Sequence, residues 1–275
     1  MSTIDVTALG AELEATADLT QRLAAIARAL PGRLAFSTSL GLEDQAILAA
    51  IAALPPGLKA RFDVFTLDTG RHFPETLETL EASERRYGVK IRVIAPDAAD
   101  IEALVAHDGI NGFRASIEAR KACCDVRKVR PLNRALKGAS GWITGLRRDQ
   151  SAGRAEIAFV ERDGGLGLLK LNPIADWSLA QLEDYIHTHD VPVNPLHARG
   201  FPSIGCQPCT RAIQPGEDIR AGRWWWENEV ALDQDGKECG LHSPNRPKPE
   251  TPKLKQPNPK PPASAKSSPT PKAKS

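Results

Sequence analysis

The sequence predicts an α/β protein built on a doubly wound, mostly parallel sheet with helices on both faces. Two observations carry this. Apolar runs alternate with amphipathic stretches in a β-α-β-α rhythm over roughly the first 150 residues, and 41% hydrophobic content in 275 residues supplies a real core. Residues 9–30 place apolar side chains at helical spacing and stop at Pro31-Gly32. Leu34-Ala35-Phe36 reads as a short buried strand. It leads through Ser37-Thr38-Ser39-Leu40-Gly41 into a helix over 43–54, ended by Pro55-Pro56. A second strand spans 62–67, and Asp68-Thr69-Gly70 turns into a helix opening at Pro74. A third strand spans 90–94. Helices follow over 101–107 and 116–136, the latter interrupted near Pro131. Trp142-Ile143-Thr144 is the next strand. Beyond Asp149 the pattern loosens into a hairpin (157–160 with 166–171), a helix from Ser178 and a loop-rich segment.

Charge is unevenly placed. Residues 243–275 hold seven Lys, one Arg, one Glu and 10 of the 22 prolines, with almost nothing apolar. Such a stretch cannot bury enough surface to offset the entropy of ordering and reads as a disordered tail. Removing its eight cations and one anion from the chain's 36 and 34 leaves 28 and 33 in 1–242, a net of −5. The body is therefore mildly acidic, and nucleic acid is not an expected partner. No run of about 18 apolar residues is present, which excludes a transmembrane helix. The first residues carry Asp5, Glu12, Glu14 and Asp18 rather than a secretory layout. A cytoplasmic location is expected.

In such folds ligands sit beyond the carboxyl ends of the strands. The 37–41 loop, with Ser37 and Ser39, offers hydroxyls and backbone N–H groups before a helix, suited to phosphate or sulfate. Asp68-Thr69-Gly70-Arg71 ends the next strand with a carboxylate, a hydroxyl and a cation. Either loop alone reads more simply as a helix cap or turn; together they favour a nucleotide site. The Lys-containing Walker pattern is absent, which disfavours an ordinary P-loop NTPase.

Five cysteines in a chain without an export signal argue against a disulfide scaffold. Cys123 and Cys124 are adjacent, Cys206 and Cys209 form Cys-Gln-Pro-Cys, and Cys239 stands alone. Two distant pairs can converge as four thiolates. Zinc accepts four, but an adjacent pair suits the larger 4Fe–4S cluster better; four small buried hydrophobes is the plainer alternative. Cys239, in Lys237-Glu238-Cys239-Gly240-Leu241-His242, has cations that would lower its pKa, yet spacing alone leaves a nucleophile and an inert surface thiol about even. Cations gather on the same regions: Lys121, Arg127, Lys128 and Arg130 near the adjacent cysteines, Arg147 and Arg148 after the fourth strand, and Arg211, Arg220 and Arg223 after Cys209. Trp224-Trp225-Trp226 reads as packing.

Over nearly all of 30–242 the chain closely resembles the assimilatory adenylylsulfate (APS) reductases, relatives of the phosphoadenylylsulfate (PAPS) reductases. The likeness rests on Leu67-Asp68-Thr69-Gly70-Arg71, Lys121-Ala122-Cys123-Cys124, Gly145-Leu146-Arg147-Arg148-Asp149-Gln150-Ser151, Gly205-Cys206-Gln207-Pro208-Cys209-Thr210-Arg211, Gly222-Arg223-Trp224-Trp225-Trp226-Glu227 and the Lys237–His242 motif. The resemblance implies an adenine nucleotide alpha hydrolase-like sheet. It divides the 1–242 domain into a nucleotide-binding core at about 30–175 and a cluster-bearing and catalytic segment at about 176–242, with the tail at 243–275 outside. It also implies one 4Fe–4S cluster on Cys123, Cys124, Cys206 and Cys209, with Cys239 as the nucleophile. Cys239 would attack the sulfur of APS and expel AMP, and thioredoxin would release sulfite from the S-sulfocysteine, as in sulfate assimilation and cysteine biosynthesis. Ser37, Ser39, Asp68, Lys128, Arg147, Arg148, Arg211 and Arg223 are the expected substrate-binding residues. Retention of all four cluster cysteines implies APS; a PAPS or dual APS/PAPS reductase is the first competitor, and a tRNA-thiolating pyrophosphatase or a zinc-stabilised nucleic-acid module is more distant. In place of the Ser-Gly-Gly-type loop of the wider pyrophosphatase group stands Ser37-Thr38-Ser39-Leu40-Gly41. The sequence leaves a homo-oligomer open.

Overall fold

A computed structural model describes residues 4–164 and 166–227. Cys239 and the 243–275 tail, both singled out from sequence, lie outside the described residues.

Six strands form one sheet in the order β3-β2-β1-β4-β6-β5. They are β1 (Leu34–Ser37), β2 (Phe62–Leu67), β3 (Arg92–Ile94), β4 (Gly141–Ile143), β5 (Val160–Arg162) and β6 (Leu169–Leu171). All neighbouring pairs run parallel except β5 with β6. The strands carry apolar side chains on both sides because both faces are covered. Leu34, Phe36, Val64, Ile143 and Leu171 enter one core with the helices that precede and follow β1. Their neighbours Ala35, Phe65 and Trp142 point to the other face and pack with Leu132 and Leu136. This is the doubly wound α/β sheet expected from the sequence.

The stretch at 9–30 differs from its simple reading. It forms two helices, α1 (Val6–Ala15) and α2 (Leu19–Ala29), because Thr16 is extended and Asp18 caps the second. The Asp18 carboxylate accepts from the Gln21 N–H at 2.7 Å. Helix α3 (Leu42–Ala53) follows β1, and a short turn, α4 (Pro56–Lys59), precedes β2. Helices α5 (Pro74–Tyr87) and α6 (Ala98–Asp108) flank β3, and α9 (Leu179–Thr188) is capped by Ser178. The first hairpin arm lies later than expected, at 160–162 rather than 157–160, because Ile157 closes a turn onto the Arg154 carbonyl.

The helical stretch at 116–136 is unbroken but not uniform. It runs as α7 (Ile117–Cys124), a π-helical turn (Asp125–Val129) and α8 (Arg130–Leu136). Pro131 has no N–H for the carbonyl four residues back, and the ladder widens just before it, with the Arg130 N–H reaching Asp125 O. The disturbance thus lies on the N-terminal side of Pro131, between Cys124 and α8. Among the described residues, no helix is long and apolar enough to cross a membrane.

Candidate active site

Strand order reverses at β1: the chain winds out to β2 and β3, then returns to β4 on the other side. A cleft of about 200 Å³ opens at this switch point, beyond the carboxyl ends of β1, β2 and β4. Ser37, Ser39 and Lys128, three of the expected substrate-binding residues, line it. A wider groove of about 730 Å³ lies at the opposite edge, but its Arg33, Arg61 and Arg92 are already engaged by Asp63 and by backbone carbonyls.

The loop after β1 is pre-folded by its own side chains. Leu40 sits at φ 62°, and its N–H donates to Thr38 Oγ1 at 3.0 Å. The backbone N–H and hydroxyl of Ser39 both donate to Asp44 Oδ2 at 2.6 Å. The Ser37 hydroxyl accepts from Trp142 Nε1 at 2.8 Å. Two of the hydroxyls expected to face a phosphate are therefore partnered within the protein. Asp44 is buried, which pushes its carboxyl up from 3.8 to about 6, against the Ser39 donors that lower it. Gly145 closes the opposite wall: a Cβ there would lie 2.5 Å from Asp44 Oδ1 and 2.8 Å from Glu43 Cβ. Gly145→Ala is therefore expected to destabilise the chain by about 1–3 kcal/mol in thermal or urea unfolding. Gly57→Ala, where a Cβ meets nothing within 4 Å, is expected to leave stability within about 0.5 kcal/mol.

Asp44 gives a second expected outcome. The folded chain holds the Asp44 proton more tightly than the unfolded one, so this stabilising contribution is full below pH 3.8 and is lost as pH rises to about 6. Ionised Asp44 then costs about 3 kcal/mol at neutral pH, as an order of magnitude. Asp44→Asn should remove that slope, raising Tm over the parent at pH 7.5 and by much less at pH 4.5. Equal differences at the two pH values would contradict it.

The other expected substrate residues stand elsewhere. The Asp68 carboxylate accepts from the Gly70 N–H at 2.8 Å and so holds its own turn. Arg147 is buried against Glu43, with Nη2 to Oε1 at 3.0 Å, and also bonds the Trp177 carbonyl. Arg148 donates to the Ile157 carbonyl at 2.9 Å and lies over the Phe159 ring. Arg211 grips Glu217 with two bonds of 2.8 Å. None of these four lines the cleft. Arg223 is packed behind Gly205, a cleft residue, where a Cβ would meet its guanidinium at 2.2 Å. Sequence reasoning missed His72, Gln150 and Arg154, which do line the cleft. His72 Nε2 donates to Leu67 O at 2.9 Å, and burial pushes its imidazole down. Gln150 stood in the Gly145–Ser151 motif, and His72 and Arg154 lie in the loops that follow β2 and β4.

Four cysteines are described, and none of them is in a disulfide among the described residues. Cys123, Cys206 and Cys209 share a small core with Phe113, Trp224 and Trp226, while buried Cys124 ends α7 just before the π turn. The loop carrying Cys206 and Cys209 is tied to the strand-β2 loop. Gln207 N–H donates to Arg71 O at 2.8 Å, and Cys206 Sγ lies 3.3 Å from Thr69 Oγ1. From the π turn, Arg127 donates to Thr69 O at 2.7 Å. Burial pushes the Cys206 thiol up, but Lys128, the Thr69 hydroxyl, Arg223 and Arg127 together hold it below its ordinary value. Burial and the nearby Cys206 push Cys209 to about 11. Burial raises Cys123, with Arg127 opposing.

Cys123, Cys206 and Cys209 fit an iron–sulfur centre by their chemistry: they share one small core, Arg127, Lys128 and Arg223 stand near them, and the Nε of Arg127 is buried without a hydrogen-bond partner. Among the described residues, no three His, Cys, Asp or Glu side chains gather as a single-ion site.

Residues 33–212 match the phosphoadenosine phosphosulfate reductase domain. The chain belongs to the PAPS/APS reductase family. It is 54% identical over 227 residues to the adenosine 5'-phosphosulfate reductase of Rhizobium meliloti (strain 1021), covering 82% of each chain. It is 51% identical over 209 residues to the protein of that name from Allochromatium vinosum, covering 76% of this chain and 78% of the other. Among solved structures, the PAPS reductase of Candida auris in a phosphate complex superposes with a TM-score of 0.64 at 25% identity, covering 77% of this chain and 98% of that one. Family membership accounts for the architecture, a mostly parallel α/β sheet with a cleft at its switch point.

Proposed function

We propose that the chain reduces APS to sulfite and AMP with thioredoxin as reductant. The observation that carries this is Lys128. It lines the nucleotide-type cleft, and its charge also acts on Cys206 and Cys209, so one side chain joins the anion site to the thiol group. The name shared by relatives at about half identity supports APS as the substrate.

The chemistry follows from the groups present. Glu43 and Asp44 offer acceptors to ribose hydroxyls, while Lys128 and the nearby Arg223 balance the phosphosulfate. The Cys239 thiolate attacks the sulfur of APS, the S–O bond to AMP breaks, and AMP leaves with the electron pair. One thioredoxin thiolate then attacks the Cys239 sulfur and releases sulfite. The second displaces Cys239 as a thiolate and leaves a thioredoxin disulfide. The dithiol loses two electrons and the substrate sulfur gains them.

Cys123, Cys124, Cys206 and Cys209 would hold one 4Fe–4S cluster. When bound, it would supply a fixed charged centre beside Lys128, with both reducing electrons coming from dithiols.

Thioredoxin-dependent sulfite release by the iron-loaded protein, measured with APS and PAPS in parallel, tests the reading. Turnover of APS with PAPS at least about tenfold slower in kcat/KM is expected. Preference for PAPS, or a requirement for ATP, would overturn it.

A further inference from the structure

The last described element is the turn Trp225–Glu227, and each cysteine-bearing segment holds one side of it. From the Cys206–Cys209 loop, the Cys209 carbonyl accepts the Trp224 N–H at 3.2 Å. From α7, three residues before Cys123, Arg120 Nε donates to Glu227 Oε1 at 2.6 Å. The Arg120 and Glu227 side chains are 1% and 5% exposed. The Arg120 guanidinium also lies over the Trp224 ring at 4.4 Å, and Arg223 lies over it at 4.8 Å. Trp224 itself sits at φ 45°, a left-handed conformation that a bulky residue adopts only where its surroundings over-determine it.

A buried ion pair is a poor device for stability alone, because desolvation offsets much of the attraction; fixing one arrangement over others is its better-attested use. Here it fixes the point from which the chain continues. Cys239 follows Glu227 by twelve residues, about 40 Å of fully extended chain at most.

We infer that Arg120 and Glu227 are positioning residues, which fix the origin of the Cys239-bearing segment to the cysteine-bearing core beside the cleft. The inference rests on the reading of Cys239 as nucleophile. Neither residue lines the cleft; the pair acts through Cys239 by setting where the segment that carries it begins. It also couples the Trp225–Glu227 turn to both α7 and the Cys206–Cys209 loop, since both segments hold it.

The test uses the full, iron-loaded chain. Two variants are compared with the parent: Glu227→Gln, and the double replacement Arg120→Met with Glu227→Leu, which exchanges the pair for apolar side chains of similar size and is expected to fold. Four quantities are read: iron content, AMP affinity by calorimetry, kcat and KM for sulfite release, and alkylation of Cys239 by a bulky maleimide with AMP bound, located by peptide mass. For the double variant, iron content and AMP affinity should stay within about twofold and KM for APS within about threefold, while kcat falls at least about tenfold. AMP should slow Cys239 alkylation in the parent and fail to do so in the variant. Unchanged kcat and alkylation would overturn the inference, as would joint loss of iron and AMP affinity, which marks a purely structural pair. Cys239→Ser, run alongside, separates the two readings: sulfite release at the parental rate removes the nucleophile assignment, while alkylation of Cys239 in the paired variants still reads its position.

Discussion

Replacing Cys239 by serine is expected to abolish sulfite release, by at least about 10⁴-fold in kcat, while iron content and AMP affinity stay at parental levels. A thiolate is available near neutral pH where a serine hydroxyl remains protonated, so the substitution removes the attacking group and little else. The cleft is lined by Ser37, Ser39, Glu43, Asp44 and Lys128 from elsewhere in the chain, and AMP should bind without the thiol. A single-turnover experiment sharpens the test. Parent protein mixed with APS in the absence of thioredoxin should release about one AMP per chain and carry a sulfonate on Cys239, detectable by mass. The serine variant should do neither. AMP release from the variant, or a sulfonate on another cysteine of the parent, would move the nucleophile elsewhere.

How much was legible in the sequence varies by feature. Strands β1, β2 and β4 were readable because a doubly covered sheet demands continuous apolar runs, and Leu34-Ala35-Phe36 and the 62–67 run supply them. The split between α1 and α2 was not, since apolar spacing continues across it, although Asp18 carried the capping signal. Pro131 announced a disturbance, but not that it would take the form of a π turn just beyond Cys124. The cysteine pairs stood out by spacing, and the structure brings Cys123, Cys206 and Cys209 into one small core. Cations were the least legible. Residue type gives a charge and no partner: Arg147 finds Glu43 from 104 positions away, and Arg211 finds Glu217 six residues on. Lys128 could be told from them only once folding placed it between the cleft and the thiols.

Cys209→Ser is the converse experiment, with iron and activity expected to fall together. The surrounding fold should survive. Gln207 N–H still reaches Arg71 O, Cys206 still lies against Thr69, and the bridge between Thr210 and Arg223 does not involve the Cys209 side chain. On the proposed reading, what changes is one sulfur ligand. A serine oxygen is a harder and poorer partner for an iron–sulfur centre than a thiolate, so the remaining three cysteines should hold it weakly or not at all. Iron per chain should drop by at least about half after gel filtration, with loss of the visible band near 400 nm, and sulfite release by at least about 10²-fold. AMP affinity should stay within about threefold, because none of the four described cysteines lines the cleft. Loss of AMP binding together with iron would show that the thiol region shapes the nucleotide site itself. Full iron content in Cys209→Ser, or parental turnover by protein stripped of iron, would remove the centre from the reaction.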